Sequence, residues 1–193
     1  MRKATLALIV SVLALAMAMP AAARAAEEPN EASQESSARG VSLGLLGGVN
    51  WQINDGDRTL SDLSEAYGFF VDIPIISTFY IAPEALIYRI NFIKGSQPDG
   101  EYGRGITELT LNFKFILPLG AHRFSLGMRG GAVVGAQAAN DFPMSGHFGA
   151  MAGYDFNFLK NLGFVTRVIY DFVPIKQGNL HKLFALIGLR FTL

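Results

Sequence analysis

Apolar and polar residues alternate more regularly between Ile106 and Leu117 than anywhere else in the chain. Leucine and phenylalanine fill most odd positions of the segment ITELTLNFKFIL, whereas glutamate, threonine, asparagine and lysine fill most even positions. A period of two predicts a β-strand with one apolar and one polar face. At about 3.3 Å per residue and a tilt of about 40°, such a strand crosses an apolar layer of about 25 Å. The segment therefore predicts a membrane-spanning strand.

Similar alternation recurs along the chain and predicts eight strands. These cover residues 41–54, 67–76, 79–92, 106–117, 123–137, 145–158, 162–172 and 181–193. Short connections at 77–78, 118–122 and 159–161 alternate with longer ones at 55–66, 93–105, 138–144 and 173–180. This asymmetry is typical of bacterial outer-membrane barrels, which have short periplasmic turns and longer outer loops. The third strand is irregular, because Pro83, Glu84 and Arg89 do not fit one alternation, and a bulge is expected there.

The polar face of the strands is rich in glycine, and this decides which face points outward. A secreted barrel of the lipocalin type would show the same period with its apolar face inside and many charges outside. Small residues with a few charges instead suit the crowded interior of an eight-stranded barrel. The predicted fold class is all-β, an eight-stranded antiparallel up-and-down transmembrane β-barrel. The glycines in question are Gly44, Gly48, Gly68, Gly127, Gly131, Gly135, Gly149, Gly153 and Gly188.

Three regions follow from composition. Residues 1–25 combine a basic start, an apolar core and an A-x-A site, as in a secretory signal peptide. Residues 26–40 are polar and acidic, and are predicted to be a flexible periplasmic leader, while residues 41–193 form the barrel. Without residues 1–25 the chain has 13 basic and 16 acidic side chains, a net charge of −3, which gives no electrostatic basis for binding nucleic acid. The chain has no cysteine, so disulfides and thiolate metal sites are excluded.

Several segments resemble a known family. YGFFVDIPIISTFYIAPEALIYR, ELTLNFKFILPL, FSLGMRGGAVVGA, GHFGAMAGYDF, KNLGFVTRVIYDF and LFALIGLRFTL are similar, in this order, to the outer-membrane β-barrel domain family of small OmpA/OmpX-like proteins. The resemblance implies an outer membrane of a Gram-negative bacterium and insertion by the barrel assembly machinery, and the even number of strands predicts that both barrel termini are periplasmic. Such insertion is helped by a terminal aromatic residue. Here Leu193 is last, and Phe191 lies two positions before it.

Charged residues of the strands are predicted to form a polar network inside the barrel. This network either provides a pathway through the lumen or, as we favour, closes it, since eight strands leave no aqueous channel and buried charges must be paired. Aromatic residues near the strand ends are predicted to mark the membrane interfaces. The network residues are Glu84, Arg89, Glu108, Lys114, Arg129, Asp155, Arg167, Asp171 and Arg190. The interface residues are Trp51, Tyr67, Tyr80, Phe115, Phe124, Phe158, Tyr170 and Phe172.

Asp141, Ser145 and His147 are the only candidates for catalysis. Ser145 and His147 share a strand face, as a nucleophile and its base require, and His181 is predicted near the same rim. A structural explanation is favoured, because serine and aspartate are common in turns and histidine is common at interfaces. The three histidines have no metal-ligand spacing, and no cofactor is predicted.

The sequence thus predicts an outer-membrane barrel with a structural or interaction role rather than an enzyme. A conduit for small or hydrophobic solutes is the first alternative, and a lipid-modifying hydrolase or acyltransferase is the second. Predicted partners are outer-membrane lipid, the assembly machinery and an extracellular ligand bound at loops 55–66 and 93–105.

Overall fold

The computed structural model describes residues 40–54, 63–90, 104–135, 145–175 and 178–193. The predicted signal peptide, nearly all of the predicted leader, Asp141 and most of the predicted outer loops lie outside these residues. Among the described residues, no helix is long and apolar enough to span a membrane. The elements are β1 (Ser42–Asn54), β2 (Ser64–Ile76), β3 (Phe79–Ile90), β4 (Arg104–Leu119), β5 (His122–Gly135), β6 (Ser145–Leu159), β7 (Leu162–Ile175) and β8 (Gly178–Thr192).

The strands form one closed antiparallel barrel in which each strand pairs with its sequence neighbours. The sheet closes where β1 pairs with β8, so that Ser42 has Asp72 on one side and Thr192 on the other. Closure leaves no unpaired sheet edge. The predicted eight-stranded up-and-down barrel is therefore confirmed.

Strand boundaries differ from the predictions mainly at one end of the barrel. The predicted loop at 173–180 is wrong, because β7 continues to Ile175 and β8 begins at Gly178, with Val173 paired to Leu180. Similarly, β2 begins at Ser64 and β4 at Arg104, inside the predicted loops 55–66 and 93–105. Backbone pairing extends these strands into segments that had been predicted as loops.

The expected bulge in β3 is absent from that strand. From Phe79 to Ile90, β3 pairs with β4 without a register shift, and Pro83 lies opposite Leu111. The irregularity falls in β2 instead, between Pro74 and Ile76, next to the turn at 77–78. β3 therefore keeps one alternation throughout, with Glu84 inside the barrel and Arg89 outside it.

Alternate side chains of each strand point out of the barrel and form an apolar belt. On β4 this outward row runs from Leu109 to Leu119, and on β8 from Leu183 to Leu193. Ten residues of a tilted strand rise about 25 Å, which matches the apolar layer that membrane barrels cross. The predicted outward orientation of the apolar rows is therefore confirmed.

The inner face contains apolar residues as well as the predicted charges and glycines. Fourteen buried residues form a hydrophobic cluster in the interior. The alternation of polar and apolar residues had not indicated them, because an inward apolar residue breaks the period of two. The cluster includes Leu46, Phe70, Leu86, Tyr88, Ile169 and Phe184.

Two glycines show why some inward positions cannot accommodate a side chain. A Cβ atom on Gly188 would lie 1.8 Å from the carbonyl oxygen of Leu45, and one on Gly131 would lie 2.0 Å from that of Leu109. Each glycine therefore allows close approach of a neighbouring backbone, which the strong curvature of a small barrel requires. Gly120, with a φ of 64°, serves a different purpose, since it allows the tight turn between β4 and β5.

Candidate functional site: the charged lumen

Arg129 of β5 lies at the centre of a network of buried charges. Its Nη2 atom donates a hydrogen bond of 2.7 Å to Oε1 of Glu108, on the adjacent strand β4. Its Nη1 and Nε atoms lie 3.2 Å from carboxylate oxygens of Glu84 on β3 and Asp171 on β7. All four side chains are fully buried. One guanidinium thus holds carboxylates from three other strands together.

The network continues towards the end of the barrel at which β1, β3 and β5 end, at Asn54, Ile90 and Gly135, called here the loop end. Lys182 of β8 forms an ion pair with Glu108 and lies 4.0 Å from Asp171. His147 of β6 places Nε2 3.1 Å from Oε1 of Glu108 and 3.1 Å from Oγ1 of Thr110. Side chains from β5, β6 and β8 are thereby joined around one carboxylate, that of Glu108 on β4.

Arg167 of β7 extends the network towards the opposite end, called here the turn end because it has the turns at 77–78, 120–121 and 160–161. Arg167 forms an ion pair with Glu84 and lies 3.7 Å from Asp72, which in turn pairs with Lys114. The Phe70 ring lies under Arg167, 3.6 Å from its guanidinium carbon. The central network, as we call it, consists of Lys114, Arg129, Arg167, Lys182, Asp72, Glu84, Glu108 and Asp171.

Two pairs of the central network connect opposite walls of the barrel. In a closed order of eight strands, β3 is four strands from β7 and β4 is four strands from β8. The Arg167–Glu84 and Lys182–Glu108 pairs join these strands directly. Two positive and two negative groups therefore cross the interior as mutually neutralising pairs, and the whole central network contains four of each sign, as buried charges require.

A second group of charges lies nearer the turn end. It consists of Arg123 on β5, Asp155 on β6 and Arg190 on β8, and we call it the turn-end cluster. Oδ2 of Asp155 lies 3.4 Å from Nε of Arg190 and 4.0 Å from Nε of Arg123. Arg190 also donates hydrogen bonds to the hydroxyls of Ser42 and Thr192, at 3.2 and 3.1 Å.

The structure places all but one of the predicted network residues inside the barrel, in the central network or the turn-end cluster. Arg89 is the exception and the prediction for it was wrong. Its side chain is exposed on the outer surface and lies 3.4 Å from Glu65. The neighbouring carboxylate of Glu65 provides this outward charge with a polar partner at the loop end of β3.

Sequence reasoning missed four acidic, basic or histidine members of the described lumen. The sequence did contain a signal for them. Each lies an even number of positions from a residue of the same strand that was predicted to point inward, so its side chain also points inward. Lys182 was overlooked because 173–180 was read as a loop, which left it at a strand end. The four residues are Asp72, Arg123, His147 and Lys182.

The predicted interface aromatics point outward except for Tyr80, for which the prediction was wrong. Tyr80 is buried in the lumen with the guanidinium of Arg123 over its ring, 5.5 Å from the centroid. Its place on the inward face follows from the regular alternation of β3. The outward aromatics form ring pairs, including Phe158 with Phe164 at 4.8 Å and Phe148 with Phe172 at 5.1 Å.

The candidate catalytic residues are not assembled by the described structure. His147 is turned into the lumen and bonded to Thr110 and Glu108, whereas His181 points outward and shares a 2.6 Å hydrogen bond with Tyr170. The two histidines thus lie on opposite faces of the sheet. Asp141 and the side chain of Ser145 lie outside the described residues.

Glu108, His147 and Asp171 bring three potential metal ligands together from three strands. One ligand atom from each lies within 4.8 Å of the others. Linear spacing could not have revealed this group, because its members come from β4, β6 and β7. Arg129 and Lys182 already contact the two carboxylates. A divalent ion would have to displace these two protein cations, so the group is best explained as part of the charge network.

Several solved structures resemble this closed barrel. Neisserial surface protein A matches with a TM-score of 0.63 and 11% identity, over 79% of this chain and 97% of that chain. The outer-membrane protein OprG of Pseudomonas aeruginosa matches with a TM-score of 0.51 and 14% identity, over 80% and 97%. This chain has the fold of small outer-membrane β-barrels. The attachment invasion locus protein Ail of Yersinia pestis also shares the fold, with a TM-score of 0.50 and 15% identity over 79% and 99%.

The resemblance is one of fold, because the identities are low. No protein-family model matches the sequence, and no curated protein matches it. The comparisons thus establish the architecture of the barrel, and any role must be argued from its own residues.

Proposed function

We propose that this chain is an integral outer-membrane protein with a structural or interaction role, whose lumen is closed by its own side chains. The observation that carries the proposal is the pairing of opposite walls by Arg167 with Glu84 and by Lys182 with Glu108. These four side chains are at most 2% exposed. Charges lining a water-filled channel would be hydrated, whereas these are neutralised by one another. An eight-stranded barrel is also too narrow for both side chains and a channel.

The outer apolar belt supports anchoring in lipid. Residues such as Leu126 and Met128 of β5 are 67% and 74% exposed, which in water would be unfavourable over a whole belt. In a bilayer the same surface contacts acyl chains. Outer-membrane lipid is therefore a partner in this proposal, and the barrel assembly machinery acts during insertion.

The proposed orientation places the turn end in the periplasm. Val41 and Leu193 lie at this end, together with the turns at 77–78, 120–121 and 160–161. The longest connections leave from the opposite end and would face the exterior, as in bacterial outer-membrane barrels. Residues 55–62 and 91–103 are therefore the proposed surface for an extracellular partner.

An enzymatic role is not proposed. A lipid-modifying hydrolase needs its base at the lipid boundary, whereas His147 is buried among the charges of the lumen. Overexpression should leave the lipid A composition of the cells unchanged, as measured by mass spectrometry. A change that the Ser145→Ala variant abolishes would contradict this conclusion.

Planar-bilayer recording tests the closed lumen. The purified protein should insert without discrete conductance steps, while a sixteen-stranded porin in the same bilayer serves as a positive control. Insertion is verified separately by the shift in gel mobility between unheated and boiled samples. Reproducible conductance steps from the folded barrel would overturn the closed lumen and favour a conduit for small solutes.

A further inference from the structure

The buried charges of the described lumen do not cancel. Four cations and four carboxylates of the central network balance, but the turn-end cluster has two arginines and one aspartate. One positive charge is therefore left over, and it lies at the end of the barrel that also contains Val41 and Leu193. A buried charge without a partner is costly, so this surplus needs an explanation.

Unused hydrogen-bond donors lie at the same place. Nε and Nη2 of Arg123 and Nε of Arg190 are buried and have no hydrogen-bond partner. The side chain of Arg123 is 3% exposed, and its nearest carboxylate oxygen, on Asp155, is 4.0 Å away. The free-energy cost of leaving a buried charged donor without a hydrogen bond is larger than the net stabilisation from a typical hydrogen bond. An anionic oxygen that accepts from these donors would remove this cost.

Neighbouring groups fix the two arginines in position. Arg190 is held by Ser42, Thr192 and Asn157, and the guanidinium of Arg123 stacks over Tyr80. The guanidinium groups are thus prearranged rather than free to move into water. Planar guanidinium groups bind carboxylate and phosphate oxygens through paired, charge-assisted hydrogen bonds.

We propose that the turn-end cluster is an anion-binding site, which takes a carboxylate or phosphate group against Arg123 and Arg190. The group comes from a free anion, which would offset the one excess positive charge of the cluster and accept hydrogen bonds from its unused donors.

Titration with inorganic phosphate tests the site in the folded chain of residues 26–193 in detergent micelles, followed by phosphorus NMR linewidth. Arg123→Gln should weaken binding about tenfold or more, because charge-assisted hydrogen bonds are lost. Asp155→Asn removes the competing carboxylate and should strengthen binding. Because the two variants are expected to change the phosphate affinity in opposite directions, the test distinguishes a binding site from a general loss of stability. Arg89→Gln on the outer surface is the control and should leave the phosphate affinity unchanged.

Should the folded chain fail to bind phosphate saturably, or should Arg123→Gln and Asp155→Asn shift the affinity in the same direction, the proposal is wrong. Asp155→Asn keeps the test available even if Arg123→Gln fails to fold.

Discussion

Nη2 of Arg129 lies 2.7 Å from Oε1 of Glu108 in an interior where both side chains are fully buried. The same guanidinium faces Glu84 and Asp171, neither of which is on a strand that pairs with β5. The contact therefore belongs to a network that connects the walls of the barrel across the lumen, in addition to the backbone hydrogen bonds around its circumference.

Replacing Arg129 by methionine should destabilise the barrel strongly. Three carboxylates would then lose a buried partner, and removing one member of a buried charge network typically costs about 3–5 kcal/mol. The free energy of unfolding in urea, measured in detergent or lipid vesicles, checks this value.

Arg89→Met is the matched control for that variant. Arg89 is an exposed arginine on the outer surface that forms an ion pair with Glu65, and surface pairs contribute only about 0–1 kcal/mol. Equal losses of stability in the two variants would show that the network of Arg129 contributes no more than a surface pair.

Leu111→Arg tests which face meets the lipid. Leu111 is 39% exposed at the middle of β4, and an arginine at the centre of a lipid-facing belt costs about 2–4 kcal/mol. Its neighbour Thr110 points inward and bonds to Arg129, so Thr110→Ser keeps the hydroxyl and should change little. The unfolding free energies of the two variants in vesicles should differ accordingly, and similar values would contradict the lipid-facing assignment.

Gly188→Ala should destabilise the barrel by about 1–3 kcal/mol, because overpacking forces the backbone to shift. The new Cβ would meet the carbonyl oxygen of Leu45 at 1.8 Å. Gly47 on β1 points outward, and its nearest obstacle is a ring atom of Tyr67 at 3.9 Å, so Gly47→Ala is the control. Urea midpoints of the two alanine variants measure the difference, and an unaffected Gly188→Ala protein would refute the close-approach argument.

Single cysteines can establish the orientation, since the chain has none of its own. On intact cells, a membrane-impermeant maleimide should label Ser61→Cys, between β1 and β2, and leave Ser77→Cys unlabelled. Ser77 lies in the turn between β2 and β3 at the turn end, which is proposed to face the periplasm. Permeabilising the outer membrane should then expose Ser77→Cys. Labelling of Ser77→Cys on intact cells would reverse the proposed orientation.

The sequence-based predictions were wrong for the bounds of some loops and for the direction of two side chains on β3. Tyr80 and Arg89 were assigned from the general preferences of tyrosine for interfaces and arginine for a polar lumen. Both residue types are amphipathic, so preference alone does not fix the face. Pairing of Phe79–Ile90 with β4 fixes the face, and the pairing of β7 with β8 carries both of those strands into the predicted loop at 173–180.

The number of strands, their antiparallel order and the outward direction of the apolar rows could be predicted from the amino-acid pattern alone. These are local properties, because the period of two follows from the geometry of an extended backbone. The folded barrel was needed to show which charges meet, such as Arg167 with Glu84 and Lys182 with Glu108, or that Arg123 and Arg190 share one aspartate. Those contacts join residues on distant strands, and they depend on how the closing of the barrel sets the register of all eight.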